Sequence, residues 1–323
     1  MPAQAAESAV NEPASSLEYD VVDVFTDRAF AGNPLAVVYG ADLLSTTQLL
    51  AITREFNLSE TAFPTSLTAA DRAAGADYRL RIFTPGGEIP FAGHPTLGSA
   101  WSLCQRGALL PGDRTQTCGA GLVAVRLPSD RLAPVELCAV PRDLATELSA
   151  DAVRAVAESV GLRRDDVIGP TYVAGCGLSF VHLRVAPAAV ARARPGMASL
   201  SDLPLGNLAL RDPLEGVNVF AVAGDAARAV VLPVNARVFV PGLSVPEDPA
   251  TGSAAAGLGI VLCALGLVSP DGETRYRITQ GVDIGRPSVL HGRVEALAGQ
   301  PVACRVAGQM VPVATGTIAV PAL

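Results

Sequence analysis

The run Arg81 to Ala100 reads RIFTPGGEIPFAGHPTLGSA. A strand-like segment leads into a Pro-Gly turn, and a second proline is followed by the glycine-rich start of an apolar helix. The same order returns 156 residues later as Arg237-Val238-Phe239-Val240-Pro241-Gly242, followed by Val245-Pro246. Compared with Arg81 to Gly86 and Ile89-Pro90, five of ten positions are identical and two more are conservative. Each copy continues to Gly-Ser-Ala, at Gly98-Ser99-Ala100 and Gly252-Ser253-Ala254, and then into an apolar helix. The Gly-Ser-Ala separation is 154, so a two-residue slip lies between the two parts. The segment is not of low complexity, and a duplication of this kind predicts two similar domains facing each other.

Outward from the repeat, strands dominate. Tyr78, Leu80 and Ile82 alternate with Arg79, Arg81 and Phe83 in a period of two. Further strands are expected at Tyr19–Phe25, Leu35–Tyr39, 121–127, 135–140, 178–185, 216–222, 228–240, 288–296 and 310–320. Ser45–Phe56 reads as an amphipathic helix with Ser45 and Gln48 as a capping box. Ser149–Val160 reads as a second, stopped by Gly161. Few helices and no regular βα alternation argue for an α+β chain and against a doubly wound or TIM fold. Residues 1–17 are expected to be a loose tail, with order from Tyr19 and the domain boundary near 128–145.

Composition removes several chemistries. The 323 residues carry 24 basic and 31 acidic side chains, for a net charge of −7, and every basic residue is arginine. Without lysine there is no Schiff base and no GxxxxGK[ST] phosphate loop. A pI near 5.0 argues against nucleic-acid binding. Cysteines at 104, 118, 138, 176, 263 and 304 form no C-x-x-C pair, so no metal site is expected. The uncharged stretch Ala254–Val268 is 15 residues long, short for a membrane span, and reads as a buried helix. No signal peptide is visible, and a cytoplasmic protein is expected.

The repeated helix starts expose N–H groups that favour an anion. Two of them across a cleft could cradle a small carboxylate; equally, their glycines could serve only close helix packing. His94, in Ala92-Gly93-His94-Pro95, is either a structural histidine or a neutral donor and acceptor at a helix start. Asp248, in Glu247-Asp248-Pro249, holds the matching place in the second copy and is either an N-cap or an acid/base group. Glu60 lies between a helix end and an apolar strand, where desolvation would raise its pKa toward neutrality.

At these residues the sequence resembles the phenazine-biosynthesis isomerase (PhzF-like) family. The matching blocks are Asp23-Val24-Phe25-Thr26 with Gly32 to Val38, Asn57 to Phe63, Arg81 to Ala100, Val245 to Ala255, and Thr279-Gln280-Gly281 with Gly285 to Ser288. The resemblance implies the diaminopimelate-epimerase-like fold: two pseudo-symmetric domains, each a β-barrel-like sheet around a central helix. The domains would be residues 18–135, with strand 309–323 as a candidate to complete the first, and 136–308. It implies Glu60, His94 and Asp248 as catalytic groups, and Asn33, Gly93, Gly252 and Ser253 as substrate-binding positions. It also implies a homodimer, a small carboxylate as substrate, and no cofactor or metal.

The implied activity is a proton and double-bond shift on a small cyclic amino or enamine carboxylic acid, in phenazine-like or other antibiotic biosynthesis. A dihydropyrrole or diene carboxylate, or an epimerisation, is the alternative reaction; a non-catalytic small-molecule binding protein is the alternative class. Sister epimerases and racemases of this fold use two cysteines in the glycine-rich segments, and neither segment has one here.

Overall fold

The computed structural model describes residues 15–196, 199–211, 213–224, 229–241 and 246–322. Most of the expected tail, and Gly242 to Val245 of the second repeat copy, lie outside the described residues.

The first half contains β1 (Ser16–Val24), β2 (Asn33–Val38), α1 (Thr46–Phe56), β3 (Thr61–Thr65), α2 (Ala69–Ala73), β4 (Tyr78–Thr84), β5 (Gly87–Ile89), α3 (Gly93–Gln105), β6 (Gly112–Cys118), β7 (Gly121–Leu127) and β8 (Val135–Ala139). The second contains β9 (Asp143–Glu147), α4 (Ala150–Ser159), β10 (Tyr172–Gly175), β11 (Ser179–Arg184), α5 (Pro187–Val190), β12 (Leu214–Val222), β13 (Val231–Phe239), β14 (Glu247–Asp248), α6 (Gly252–Ala264), β15 (Gly272–Gln280), β16 (Ser288–Leu297) and β17 (Gln300–Gly308). The last strand, β18 (Met310–Ala319), returns to the first half and pairs with β1.

The halves repeat strand for strand. In the first, the neighbours run β18, β1, β2, β3, β4, β6, β7, β8; in the second, β9, β10, β11, β12, β13, β15, β16, β17. Both series follow one pattern of pairings: antiparallel, antiparallel, parallel, antiparallel, parallel, antiparallel, antiparallel. β8 and β17, at matching ends, pair with each other antiparallel. The chain is thus α+β, with strands in the majority.

Each curved sheet wraps a helix. α3 packs on β1, β2 and β3 as well as on β7 and β8, the far end of the same series. α6 packs likewise on β9, β10 and β11 and on β16 and β17. Both helices are buried through their first eleven residues, as an apolar helix enclosed on all sides must be. This accounts for the uncharged second segment, although the helix stops at Ala264, since Gly266 has a φ of +64°. Among the described residues no helix is long and apolar enough to cross a membrane.

Two expected boundaries shift. β1 begins at Ser16, ahead of the expected Tyr19, because Ser16 and Leu17 pair with Ala319 and Ile318, and Leu17 is buried. β8 spans the expected division between 135 and 136 and bonds to β7 on one side and β17 on the other.

Candidate active site

Parallel pairing brings the first two site residues together. β2 begins at Asn33, and the residue before β3 is Glu60. Because β2 and β3 run parallel, with Ala36 opposite Thr61, residues at their starts come to the same end of the sheet. The Ser59 hydroxyl there meets Asn33 Oδ1 at 3.4 Å. α1 enforces the approach: Ser45 and Gln48 cap its start, and Asn57 in the left-handed conformation ends it. The chain then has only Leu58 to Glu60 before β3.

The repeat brings the rest. α3 and α6 start face to face: a Cβ on Gly93 would lie 3.4 Å from the Gly252 Cα and 3.6 Å from the Ser253 nitrogen. The two backbones therefore stand a single methyl group's van der Waals contact apart. Neither N-cap residue, Ala92 or Thr251, caps its helix with a side chain. The N–H groups of Gly93 and His94, and those of Gly252, Ser253 and Ala254, have no acceptor within their helices. Both dipoles place partial positive charge at the same point. The close packing of the helix starts and the open N–H groups occur at the same place.

Glu60, His94 and Asp248 meet on the wall of a cavity of about 470 Å³ that runs between the halves along the two helix starts. Gly93, Gly252 and Ser253 line it as well, with Phe91, Phe180 and Leu178 as apolar wall. Asn33 stands behind it. Its Nδ2 donates to Asp248 Oδ1 at 2.8 Å and to the Ala250 carbonyl at 2.9 Å. The Thr251 hydroxyl donates to Asp248 Oδ2 at 2.6 Å. Gln280 Nε2 donates to the Asp248 carbonyl at 2.8 Å and to Thr251 Oγ1 at 3.0 Å. Asp248 is therefore held on every side, whereas Glu60 and His94 stay open toward the cavity.

Burial sets the protonation states. It pushes the Glu60 carboxyl up to about 7, against a smaller lowering by the Ser59 hydroxyl. Asp248 rises to about 6, first through burial and then through the nearby Glu60 charge; His94, Thr251 and Asn33 act in the other direction. His94 drops to about 4 because burial outweighs the attraction of Asp248. Its 3.6 Å approach to Glu60 has ion-pair distance. With so low a pKa the ring is neutral near pH 7, and the contact joins a carboxyl to a neutral imidazole. A carboxyl that titrates near neutrality beside a neutral imidazole can take up a proton and return it elsewhere.

Asn33, Glu60, His94, Gly93, Asp248, Gly252 and Ser253 are all brought together here. Sequence reasoning missed the support under Asp248 from Thr251 and Gln280. Gln280 stands in the Thr279-Gln280-Gly281 block, and Thr251 in the second glycine-rich segment, so both had a signal. Arg142 and Glu215, which also line the cavity, had none.

Comparison with known proteins places the family and the fold. The family model described as "Phenazine biosynthesis-like protein" matches residues 22–316. A trans-2,3-dihydro-3-hydroxyanthranilate isomerase from Pseudomonas chlororaphis is 34% identical over 305 residues, covering 93% of this chain and 98% of that protein. The crystal structure of a Bacillus anthracis phenazine biosynthesis protein of the PhzF family superposes with a TM-score of 0.78 at 22% identity, covering 94% and 99% of the two chains. A hydroxyproline epimerase from Agrobacterium vitis shares the fold at a TM-score of 0.59 and 14% identity, covering 94% and 93%.

Proposed function

The chain belongs to the phenazine biosynthesis-like protein family, a family of isomerases, and from that premise we propose that it moves a proton and a double bond within a small cyclic amino or enamine carboxylic acid. One observation carries the reading: Glu60, raised to about 7, faces neutral His94 beside two uncapped helix starts in one cavity.

The substrate carboxylate sits between the starts of α3 and α6, on N–H groups of both halves. Ionised Glu60 takes a proton from a ring carbon as the electron pair moves into the neighbouring double bond. The protonated carboxyl then gives the proton to another ring carbon, so the formula is unchanged and Glu60 ends as it began. His94 and Asp248 hold the substrate's amino and hydroxyl groups and polarise them. The acid/base work needs no group beyond these side chains, which makes a cofactor-independent reaction the simplest form of the proposal.

The compound to try first is trans-2,3-dihydro-3-hydroxyanthranilate, named for the Pseudomonas chlororaphis relative. In D2O, turnover should place deuterium on the carbon that receives the proton. Glu60→Gln should lower the rate by roughly 10²- to 10⁴-fold. An unchanged rate in that variant would remove Glu60 from the reaction.

A further inference from the structure

A third carboxylate faces the cavity from the second half. Glu215 is the second residue of β12 and lines the same cavity as Glu60 and Asp248. Its position comes from a break in the sheet. β11 and β12 run parallel with Ser179 opposite Leu214 and Phe180 opposite Gly216, so Glu215 is the extra residue of a bulge. A bulged residue drops out of the strand's alternation, and its side chain is re-aimed. The neighbouring residue must be glycine: a Cβ on Gly216 would stand 2.4 Å from the Phe239 carbonyl oxygen. The packing of β12 on β13 thus holds the bulge in place.

Among the described residues no hydrogen bond or ion pair engages the Glu215 carboxylate, and burial alone acts on it, pushing its pKa up. Arg142 shares the cavity wall without lowering it. A carboxylate partly withdrawn from water and left without a partner is unfavourable until a cation or a donor arrives. The helix starts that line the same cavity call for an anion. The cavity therefore presents groups for both charges.

We propose that Glu215 determines specificity by receiving a cationic amine borne on a side arm of the substrate, in addition to the carboxylate held at the helix starts. The substrate class is then a ring carboxylic acid with an additional ammonium group. This rests on the carboxylate placement proposed above.

Titration calorimetry at pH 8 tests it with 3- and 4-(aminomethyl)benzoate against 3- and 4-methylbenzoate, which match them in shape and lack the charge. The wild-type protein should bind at least one aminomethyl isomer about tenfold or more tightly than its methyl counterpart, as a charge-assisted bond requires. Glu215→Gln should abolish that preference and leave methylbenzoate binding unchanged, and Glu215→Lys should reverse it. Equal binding of the two series by wild type, or a preference that survives Glu215→Gln, overturns the proposal. If 3-methylbenzylamine, with no carboxylate, binds as well as the acids and Glu215→Gln weakens it, Glu215 keeps its role and the helix-start placement falls. No binding by any probe overturns both.

Discussion

Glu60 Oε2 and His94 Nε2 lie 3.6 Å apart, both buried, and neither has a hydrogen bond among the described residues. The gap is too long for a hydrogen bond between them. Two polar atoms left open at this depth each cost about 1–3 kcal/mol.

The first prediction concerns pH. Glu60 accepts a proton only when ionised, so kcat/KM should rise with pH through about 7, the value to which burial raises it. Asp248 at about 6 is coupled to it, and the apparent constants belong to the pair. His94, at about 4, stays neutral throughout and contributes no falling limb above pH 5. A rate independent of pH between 5 and 8 would contradict this.

The second prediction reverses the usual cost of mutation. Glu60 holds its proton up to about pH 7 when folded and to its ordinary 4.5 when unfolded. Between those values folding takes up a proton, so the Glu60 contribution to stability falls as pH rises. Glu60→Gln should therefore stabilise the protein above pH 7 by roughly 2–3 kcal/mol. The gain should vanish below pH 4.5, and denaturant melts at pH 8 and pH 4 measure both limits. A variant less stable than wild type at pH 8 would refute it.

Asn33 holds Asp248 from behind the cavity. Asn33→Ala removes donors from Asp248 Oδ1 and the Ala250 carbonyl, and should lower stability by about 1–3 kcal/mol. Asn33→Asp sets a second carboxylate against Asp248, so its loss should be larger at pH 8 than at pH 5. Thermal melts across that range decide the sign.

The repeat offers its own control. Arg81 on β4 holds Glu88 in a bidentate pair at 2.8 and 2.7 Å, and Arg237 on β13 holds Glu247 at 2.9 and 2.5 Å. The first pair is 24% and 38% exposed, the second 9% and 4%. Arg237 also donates to the Ala193 carbonyl at 2.6 Å. Arg81→Ala should cost about 1 kcal/mol or less. Arg237→Ala strands a buried charge and should cost about 3–5 kcal/mol. Equal losses in chemical denaturation would show that burial does not separate the two copies.

The duplication was legible because its two copies keep an arginine, a phenylalanine and two prolines in register. Glu60, His94 and Asp248 were legible because each stands beside a glycine-rich segment or a helix end. β6, β15 and β17 were not, since GDRTQTC and GETRYRITQ are largely polar and QPVACRVAG has a proline at its second position. Their strand character comes from long-range pairing with β4, β13 and β8, which local alternation does not report. Glu215 was hidden for a related reason: only the register of β11 against β12 reveals its bulge.

β18 carries a consequence for synthesis. In the second half the strand beside β10 is β9, which precedes it in the chain, whereas the matching neighbour of β1 is β18, at the far end. While the ribosome is still making residues 310–319, the finished first half carries β1 with one row of backbone donors and acceptors unpaired. Such an edge is open to pairing with another nascent chain. The half that holds Glu60 and His94 is thus translated first and closed last.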